Sequence, residues 1–427
     1  SLGCGDGVKS VAWSPDSRRI ATGSDNGVWV WDAVTGKELL SLGYGRGVES
    51  VAWSPDSSRI VTSSTFDGVW VWDAVTGKEL LSLGYGRGVE LVVWSPDSRR
   101  IATGFDGVQV WDAVTGENVL SLEHDHLVTS VAWSPDSSRI VTSSTFDGVW
   151  VWDAVTGKEL LSLGCGDGVK SVAWSPDSRR IATSSTFDGV WVWDAVTGEN
   201  VLSLKHDRLV ESVVWSPDGS RIATGSVYGV WVWDAVTGEN VLSLKHDRLV
   251  ESVVWSPDGS RIATGSVYGV WVWDAVTGEN VLSLEHGSQV ELVVWSPDGS
   301  RIATGSGDCV WVWDAVTGEE LLSLEHGSQV RSVVWSPDGS RILTKTWRDE
   351  ICIWDVTAGE QKSFFITPLP EGERVVLSAD QTKVIRASAG AWRWLGRLAV
   401  LPDGKLERIP VEIDGPLPPL GPDAEVE

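Results

Sequence analysis

From Val48 the chain alternates in a β-branched run, Val48-Glu-Ser-Val-Ala-Trp53, and then breaks at Ser54-Pro-Asp-Ser57. That pattern predicts a strand followed by a turn, with Pro at the second turn position where its fixed φ fits. Arg59-Ile-Val-Thr-Ser-Ser64 reads as a second strand, and Thr65-Phe-Asp-Gly68 as a turn with Asp-Gly in the hairpin position. Val69-Trp-Val-Trp72 is a third strand with both Trp on one face and both Val on the other, so both faces are apolar. Asp73-Ala-Val-Thr-Gly77 turns the chain again into a fourth strand, Lys78 to Leu83. Helical periodicity is absent from the unit.

The unit recurs. Trp-Ser-Pro-Asp begins at Trp13, Trp53, Trp94, Trp133, Trp174, Trp215, Trp255, Trp295 and Trp335, at spacings of 40, 41, 39, 41, 41, 40, 40 and 40 residues. A Trp-Asp pair follows each, at Trp31, Trp72, Trp111, Trp152, Trp193, Trp233, Trp273, Trp313 and Trp354. A fixed period of this size means a stacked or circular repeat architecture. A four-stranded sheet that is apolar on both faces cannot cover itself. Radial packing of such sheets around an axis covers both faces and leaves short edges.

On these residues the chain resembles the WD-repeat (WD-40) β-propeller family, in its highly repetitive form. Ser14-Pro15-Asp16 and Trp31-Asp32 match that pattern in the first unit, and the match continues to Trp354-Asp355. The family usually has Phe where this chain has Trp13 and its equivalents. The resemblance implies an all-β fold: a single large β-propeller of four-stranded antiparallel blades. Residues 1–366 are expected to form nine near-identical blades. In residues 367–414, Arg374 to Asp380 lines up with Ser332 to Asp338, and Ala391 to Trp394 with Ile351 to Trp354. This segment is expected to be a degenerate tenth blade or a C-terminal cap, and residues 415–427 a Pro-rich acidic tail. Many such rings close by borrowing the first strand to complete the last blade. Only Ser1-Leu2 precede the first unit here, a departure from that mode. Near-identical units also permit mispaired closure between chains, so a monomeric ring is expected with oligomers possible.

The units differ mainly in two loops, fourth strand to next first strand and second strand to third, which the family fold places on one rim. The first loop reads Gly-Tyr-Gly-Arg, Gly-Cys-Gly-Asp, Glu-His-Asp-His, Lys-His-Asp-Arg or Glu-His-Gly-Ser. It supplies Arg46, Arg87, Arg208 and Arg248. Four residues before each first Trp stand Lys9, Glu49, Glu90, Thr129, Lys170, Glu211, Glu251, Glu291 and Arg331. The second loop carries Phe66, Phe105, Phe146, Phe187, Tyr228 and Tyr268. Simple drift would favour small polar residues. Aromatics and Arg gathered on one rim suit protein recognition, and these nineteen residues are the candidate partner-binding set.

His124, His206, His246, His286 and His326 stand nine residues before their Trp, where the family has its Gly-His. The resemblance implies a buried hydrogen-bond set of His, a strand Ser or Thr, a turn Asp and the Trp. The turn Asp exists beside a His only as Asp147, Asp308 and Asp349, so three units can hold the complete set. Other units replace the His by Cys4, Tyr44, Tyr85 or Cys165. One His per blade cannot converge on a metal, so no metal or other cofactor is expected.

The formal charge is −25, from 34 basic and 59 acidic residues. That balance argues against nucleic acid and against anionic membrane surfaces, and no apolar run is long enough to span a bilayer. Four Cys without zinc or disulfide spacing fit a cytoplasmic setting. Residue 1 is Ser and the chain contains no Met, as in a domain cut from a longer protein. Catalysis needs one unique constellation, and the units spread their polar groups evenly. No phosphate loop, nucleophile elbow or His-Glu-x-x-His motif occurs. The expected function is therefore a non-enzymatic protein-interaction scaffold or sensor, binding a protein or peptide multivalently on the loop-bearing rim within a larger signalling protein. The alternative is a propeller that binds glycan or another small ligand between its blades.

Overall fold

The computed structural model describes residues 8–357 apart from 43–46, 67, 84–88, 90, 105–106, 125–126, 145–147, 164–168, 186–188, 207–209, 227–228, 247–248, 268 and 349. Beyond 357 it describes 363–368, 374–377, 384–387, 396–400 and 406–410. Val8–Trp13, Arg19–Ser24, Gly27–Asp32 and Glu38–Leu42 form blade one, an antiparallel meander in sequence order. The same order repeats eight more times, through Val330–Trp335, Arg341–Thr346, Ile351–Asp355 and Ser363–Pro368 of blade nine. First strands follow one another around the axis, and the fourth strands are outermost and largely exposed.

No blade has a core of its own. Each of the nine buried clusters lies between two blades: Ala21, Val28, Val30 and Leu42 of blade one pack on Val48, Val51, Trp53, Ile60 and Trp72 of blade two. The last cluster joins Leu343, Ile351 and Ile353 of blade nine to Val8, Trp13, Ile20 and Trp31 of blade one. The ring is therefore closed at nine blades. Among the described residues it closes without strand exchange: every strand of blade nine follows residue 329, and Val8–Trp13 pairs with Arg19–Ser24.

The expected tenth blade is not seen among the described residues of 367–414. Arg374–Leu377 and Val384–Ala387 pair in turn onto the outer edge of blade nine, giving a six-stranded sheet, and Gly396–Val400 pairs with Leu406–Pro410 as a separate hairpin. The physical reason is that blades nine and one already bury each other's faces, so no slot remains in the ring. Residues 415–427 lie outside the described residues.

Two indole bonds recur in all nine blades. The Trp of Trp-Asp donates to the second-strand Thr of its own blade, as Trp31 to Thr22 (3.0 Å) and Trp354 to Thr344 (3.0 Å). The Trp of Trp-Ser-Pro-Asp donates to a first-strand carbonyl of the preceding blade, as Trp53 to Ala12 O and Trp215 to Ala173 O (3.1 Å each). Trp13 makes the same bond to Val334 O (3.4 Å) across the closure. Phe could fill that space but could not donate.

The rim bearing the Ser-Pro-Asp and Asp-Ala-Val-Thr-Gly turns is bound up in further ties. Arg19 lies over the Trp53 ring at 4.8 Å and donates to Ala74 O and Ser57 O of the next blade. The last turn residue is left-handed, and Gly219, Gly259, Gly299 and Gly339 supply it in blades six to nine. In blades one to five it is Ser, with φ near +61°. The Oγ of each of these five Ser accepts the turn Asp N–H of the preceding blade: Ser57 from Asp16 (3.1 Å), Ser98 from Asp56 (3.2 Å), Ser137 from Asp97 (3.1 Å), Ser178 from Asp136 (3.1 Å) and, across the closure, Ser17 from Asp338 (2.9 Å). An inter-blade bond thus offsets a left-handed cost of about 1–2 kcal/mol.

Two stability outcomes follow. Trp215→Phe, which keeps the apolar bulk and removes the bond to Ala173 O, should lower unfolding stability by about 1 kcal/mol in a denaturant titration. Ser57→Ala, which keeps the strained backbone and loses the bond, should cost about 1 kcal/mol more than Ser57→Gly. Equal midpoints for the two would show that the left-handed backbone at residue 57 carries no strain.

Candidate functional site

In an up-and-down meander the second-to-third turn and the fourth-to-first loop emerge on the same side, and the backbone ties them together there. His326 N donates to Asp308 O and Val330 N to Gly307 O (2.8 Å each); Trp347 N donates to Gln329 O (2.9 Å). Gly47 N donates to Asp25 O of blade one (3.1 Å) while Thr65 N donates to Gly47 O (3.0 Å). The variable residues that the structure describes are thus gathered on one rim, opposite the Ser-Pro-Asp and Asp-Ala-Val-Thr-Gly turns.

A backbone irregularity presents the charged members. In seven blades the register of the first strand shifts by one residue at its second position, between Val8 and Ser10 in blade one. The residue in the bulge is Lys9, Glu49, Thr129, Lys170, Glu211, Glu251 or Arg331, and a bulge re-aims its side chain out of the ladder. In blades three and eight the strand begins at Leu91 and Leu292, so Glu90 and Glu291 fall just before it.

Neighbouring blades join through these side chains. Lys9 Nζ donates to Glu49 (2.5 Å) and lies 3.1 Å from Asp25. Gln289 donates to Glu251 (3.0 Å) and Gln329 to Glu291 (3.3 Å). Thr129 Oγ1 donates to Ser143 O (3.2 Å). The Arg331 guanidinium stacks 5.0 Å from the Trp347 ring centre. The bond to Glu49, against some loss from burial, holds Lys9 above the ordinary ammonium range. Partial burial pushes the Glu49 carboxyl up, but the bonds from Lys9 and Thr65 and the Lys9 charge outweigh it, and it lies below the usual range.

Phe66 is 62% exposed and its ring lies against Gly47, which is left-handed at φ +77° and where a Cβ would stand 3.0 Å from the ring. Trp347, 61% exposed, stands at the same turn of blade nine. The sequence reading missed Trp347 because it counted Tyr and Phe as the loop aromatics and treated Trp as frame. Its signal was position: it falls in the second-to-third turn, where six of the other blades carry Phe or Tyr. Gln289 and Gln329 were missed as well, since their partners lie a blade away, and Asp25 because its partner Lys9 lies across the sheet of its own blade. Arg46, Arg87, Glu90, Phe105, Phe146, Phe187, Arg208, Tyr228, Arg248 and Tyr268 lie outside the described residues, as do the side chains of Lys170 and Glu211.

The His set is structural where it is described. His246, His286 and His326 meet Thr264, Thr304 and Thr344 through Nε2 (3.0, 2.8 and 2.7 Å), and each Thr also receives its blade's Trp indole. The turn Asp is not required: blade seven has none, and in blade eight His286 Nδ1 meets Leu284 O (2.9 Å) instead of Asp308. Asp147, Asp349, Tyr44, Tyr85, Cys4 and Cys165 are outside the described residues. The two described thiols are free and buried, and burial pushes Cys352 up to about 12, so neither is poised as a nucleophile. No group of metal ligands occurs among the described residues, and no helix there is long and apolar enough to cross a membrane.

A family model described as "WD domain, G-beta repeat" matches residues 2–32, 36–73, 116–153, 157–194, 198–234, 238–274, 278–314 and 318–355. Each matched segment ends at a Trp-Asp pair and is offset by one strand from the blade. The first three strands of blade three fall outside them; this blade has a short turn and Gln109 where most blades have Trp, yet it forms the same four strands. No curated protein matches the chain. Among solved structures, the crystal structure of the computationally designed Ika8 protein is similar at a TM-score of 0.59 and 21% identity, over 82% of this chain and 96% of that one. That likeness concerns the fold alone.

Burial also sets a pH dependence. It holds His286 below the ordinary imidazole value of 6.5 and His326 at about 4. Both fold in the neutral form, so their stability is full above 6.5 and is lost as pH falls toward 4. The capping carboxylates, such as Asp234 and Asp274, lie below the usual range through backbone bonds from Thr237 and Thr277, so their contribution disappears only at lower pH. Thermal midpoints should decline from pH 6.5 to 4 and more steeply below. His326→Gln should flatten the upper segment, and an unchanged slope there would remove His326 as its source.

Proposed function

Since the chain belongs to the WD40 family of WD-domain, G-beta repeats, we propose that it is a non-enzymatic interaction scaffold that captures a protein or peptide on its variable rim. One observation carries the reading: the largest sequence differences between otherwise copied blades fall on one rim, whereas the opposite rim keeps its Ser-Pro-Asp turns throughout and its Asp-Ala-Val-Thr-Gly turns in eight of nine blades and is engaged in inter-blade bonds. The variable rim presents exposed Phe66 and Trp347, with Arg331 stacked on the latter. Large aromatics and Arg dominate binding energy at protein interfaces. Similar sites repeated around a rim raise avidity through effective concentration when the partner is itself repetitive. In this reading the propeller is the sensor or scaffold part of a larger cytoplasmic signalling protein.

The test is affinity capture with the immobilised propeller, compared between rims. Phe66→Ala with Trp347→Ala and Arg331→Ala should reduce recovery of a specific protein at least about tenfold. Val75→Ser with Val236→Ser, at exposed positions of the opposite rim, should leave it unchanged. Loss from the second set and not the first would move the site to the other rim. Retention of glycan in place of protein would favour the alternative ligand class.

A further inference from the structure

Blade one carries nothing in its own leading strand that directs it to blade nine. Its first strand, Val-Lys-Ser-Val-Ala-Trp at Val8–Trp13, is identical to that of blade five at Val169–Trp174, which packs on blade four. Blade one of one chain could therefore dock on blade four of another. With no strand exchange among the described residues to tie the ends, the information that closes the ring has to lie in blade nine.

Blade nine differs where it faces blade one. At the fifth position of the second strand the other blades have Gly23, Ser63, Gly104, Ser143, Ser184, Gly225, Gly265 and Gly305. Small residues are needed there: a Cβ on Gly23 would lie 2.6 Å from Val51 Cγ2 and 2.7 Å from Val48 Cγ1. Blade nine has Lys345, only 5% exposed. The first strand of blade one meets the second strand of blade nine less closely than the corresponding strands meet elsewhere in the ring, the joint of blades four and five being the next loosest. Lys345 spans that gap, and its Nζ donates to Val8 O and to Lys9 O (3.3 Å). Leu343, Ile351 and Ile353 fill the same interface where other blades have Ala or Val, Val and Val. The Arg latch that Arg19 makes to Ala74 O and Arg301 to Val356 O (2.8 Å) is not made by Arg341 here, as it is not made by Arg139 between blades four and five.

We propose that Lys345 is the key of the closure seam: its buried ammonium, bonded to the first-strand carbonyls of blade one, makes blade nine the one face that blade one closes on. It selects intramolecular closure at nine blades over pairing between chains. A residue that fits only the wider joint acts against the generic interfaces by collision as well as for its own by bonding.

The test uses the full chain with Lys345→Gly, the residue of a generic blade, and Lys345→Met, which keeps the stem and removes the donors. Both should speed amide exchange at Val8–Trp13 and Arg341–Thr346 by about tenfold or more, with Val210–Trp215 of blade six unchanged. Both should add dimers that grow with concentration by light scattering, and Lys345→Arg should restore the monomer. Wild-type exchange and a monomer at every concentration for the Met variant would overturn the proposal. So would exchange that rises equally in all blades, which would make Lys345 a general stability residue.

Discussion

An indole N–H reaching one blade back is the bond on which this ring is built. Because the buried clusters lie between blades, each blade is stable only against its neighbours, and the geometry between blades has to be specified nine times. Apolar contact alone would tolerate sliding. The donation from the first Trp to the preceding first strand fixes height and distance at once, and it recurs from Trp53 onto Ala12 to Trp13 onto Val334. Trp in place of the smaller aromatic expected of the family thus has a physical role: one side chain gives both the apolar face and the directional bond.

The two rims follow from this arrangement. The turns at one rim end the strands that carry the Trp, so they hold the Arg stacked on the next Trp, the capping Asp and the left-handed Ser or Gly. Change at those positions breaks a tie repeated in neighbouring joints. The loops at the other rim meet the frame through backbone bonds, which are indifferent to side chain. That is why Lys, Glu, Thr and Arg interchange in the bulge and Phe, Tyr and Trp in the turn, and why this rim is where recognition has freedom to develop.

Much of this was legible along the chain. Strand positions, the doubly apolar Val-Trp-Val-Trp strand and the nine-fold repeat follow from period-2 alternation and a period of about 40 residues, which are local properties, while the shared rim of the two variable loops came from the family resemblance. Phe66, Lys9 and Arg331 were found for the same reason, as departures from a regular frame. The bulge that presents Lys9 was not, since a register shift depends on the partner strand. Trp347 was hidden by resembling the frame. The tenth blade was expected because Arg374 to Leu377 reads as a first strand, and nothing local says that it will pair outward onto Ser363–Pro368 instead.

By its own pattern, then, the sequence determined the blade: four strands, their faces, their turns and the places where copies differ. Tertiary structure alone decided how the copies join. It set the closure between residues more than 300 positions apart, the absence of strand exchange among the described residues, the passage of Lys345 into the seam and the addition of the later strands to blade nine. Those outcomes rest on which buried face remains unpaired once all the others are satisfied, and that is settled only when every blade is in place.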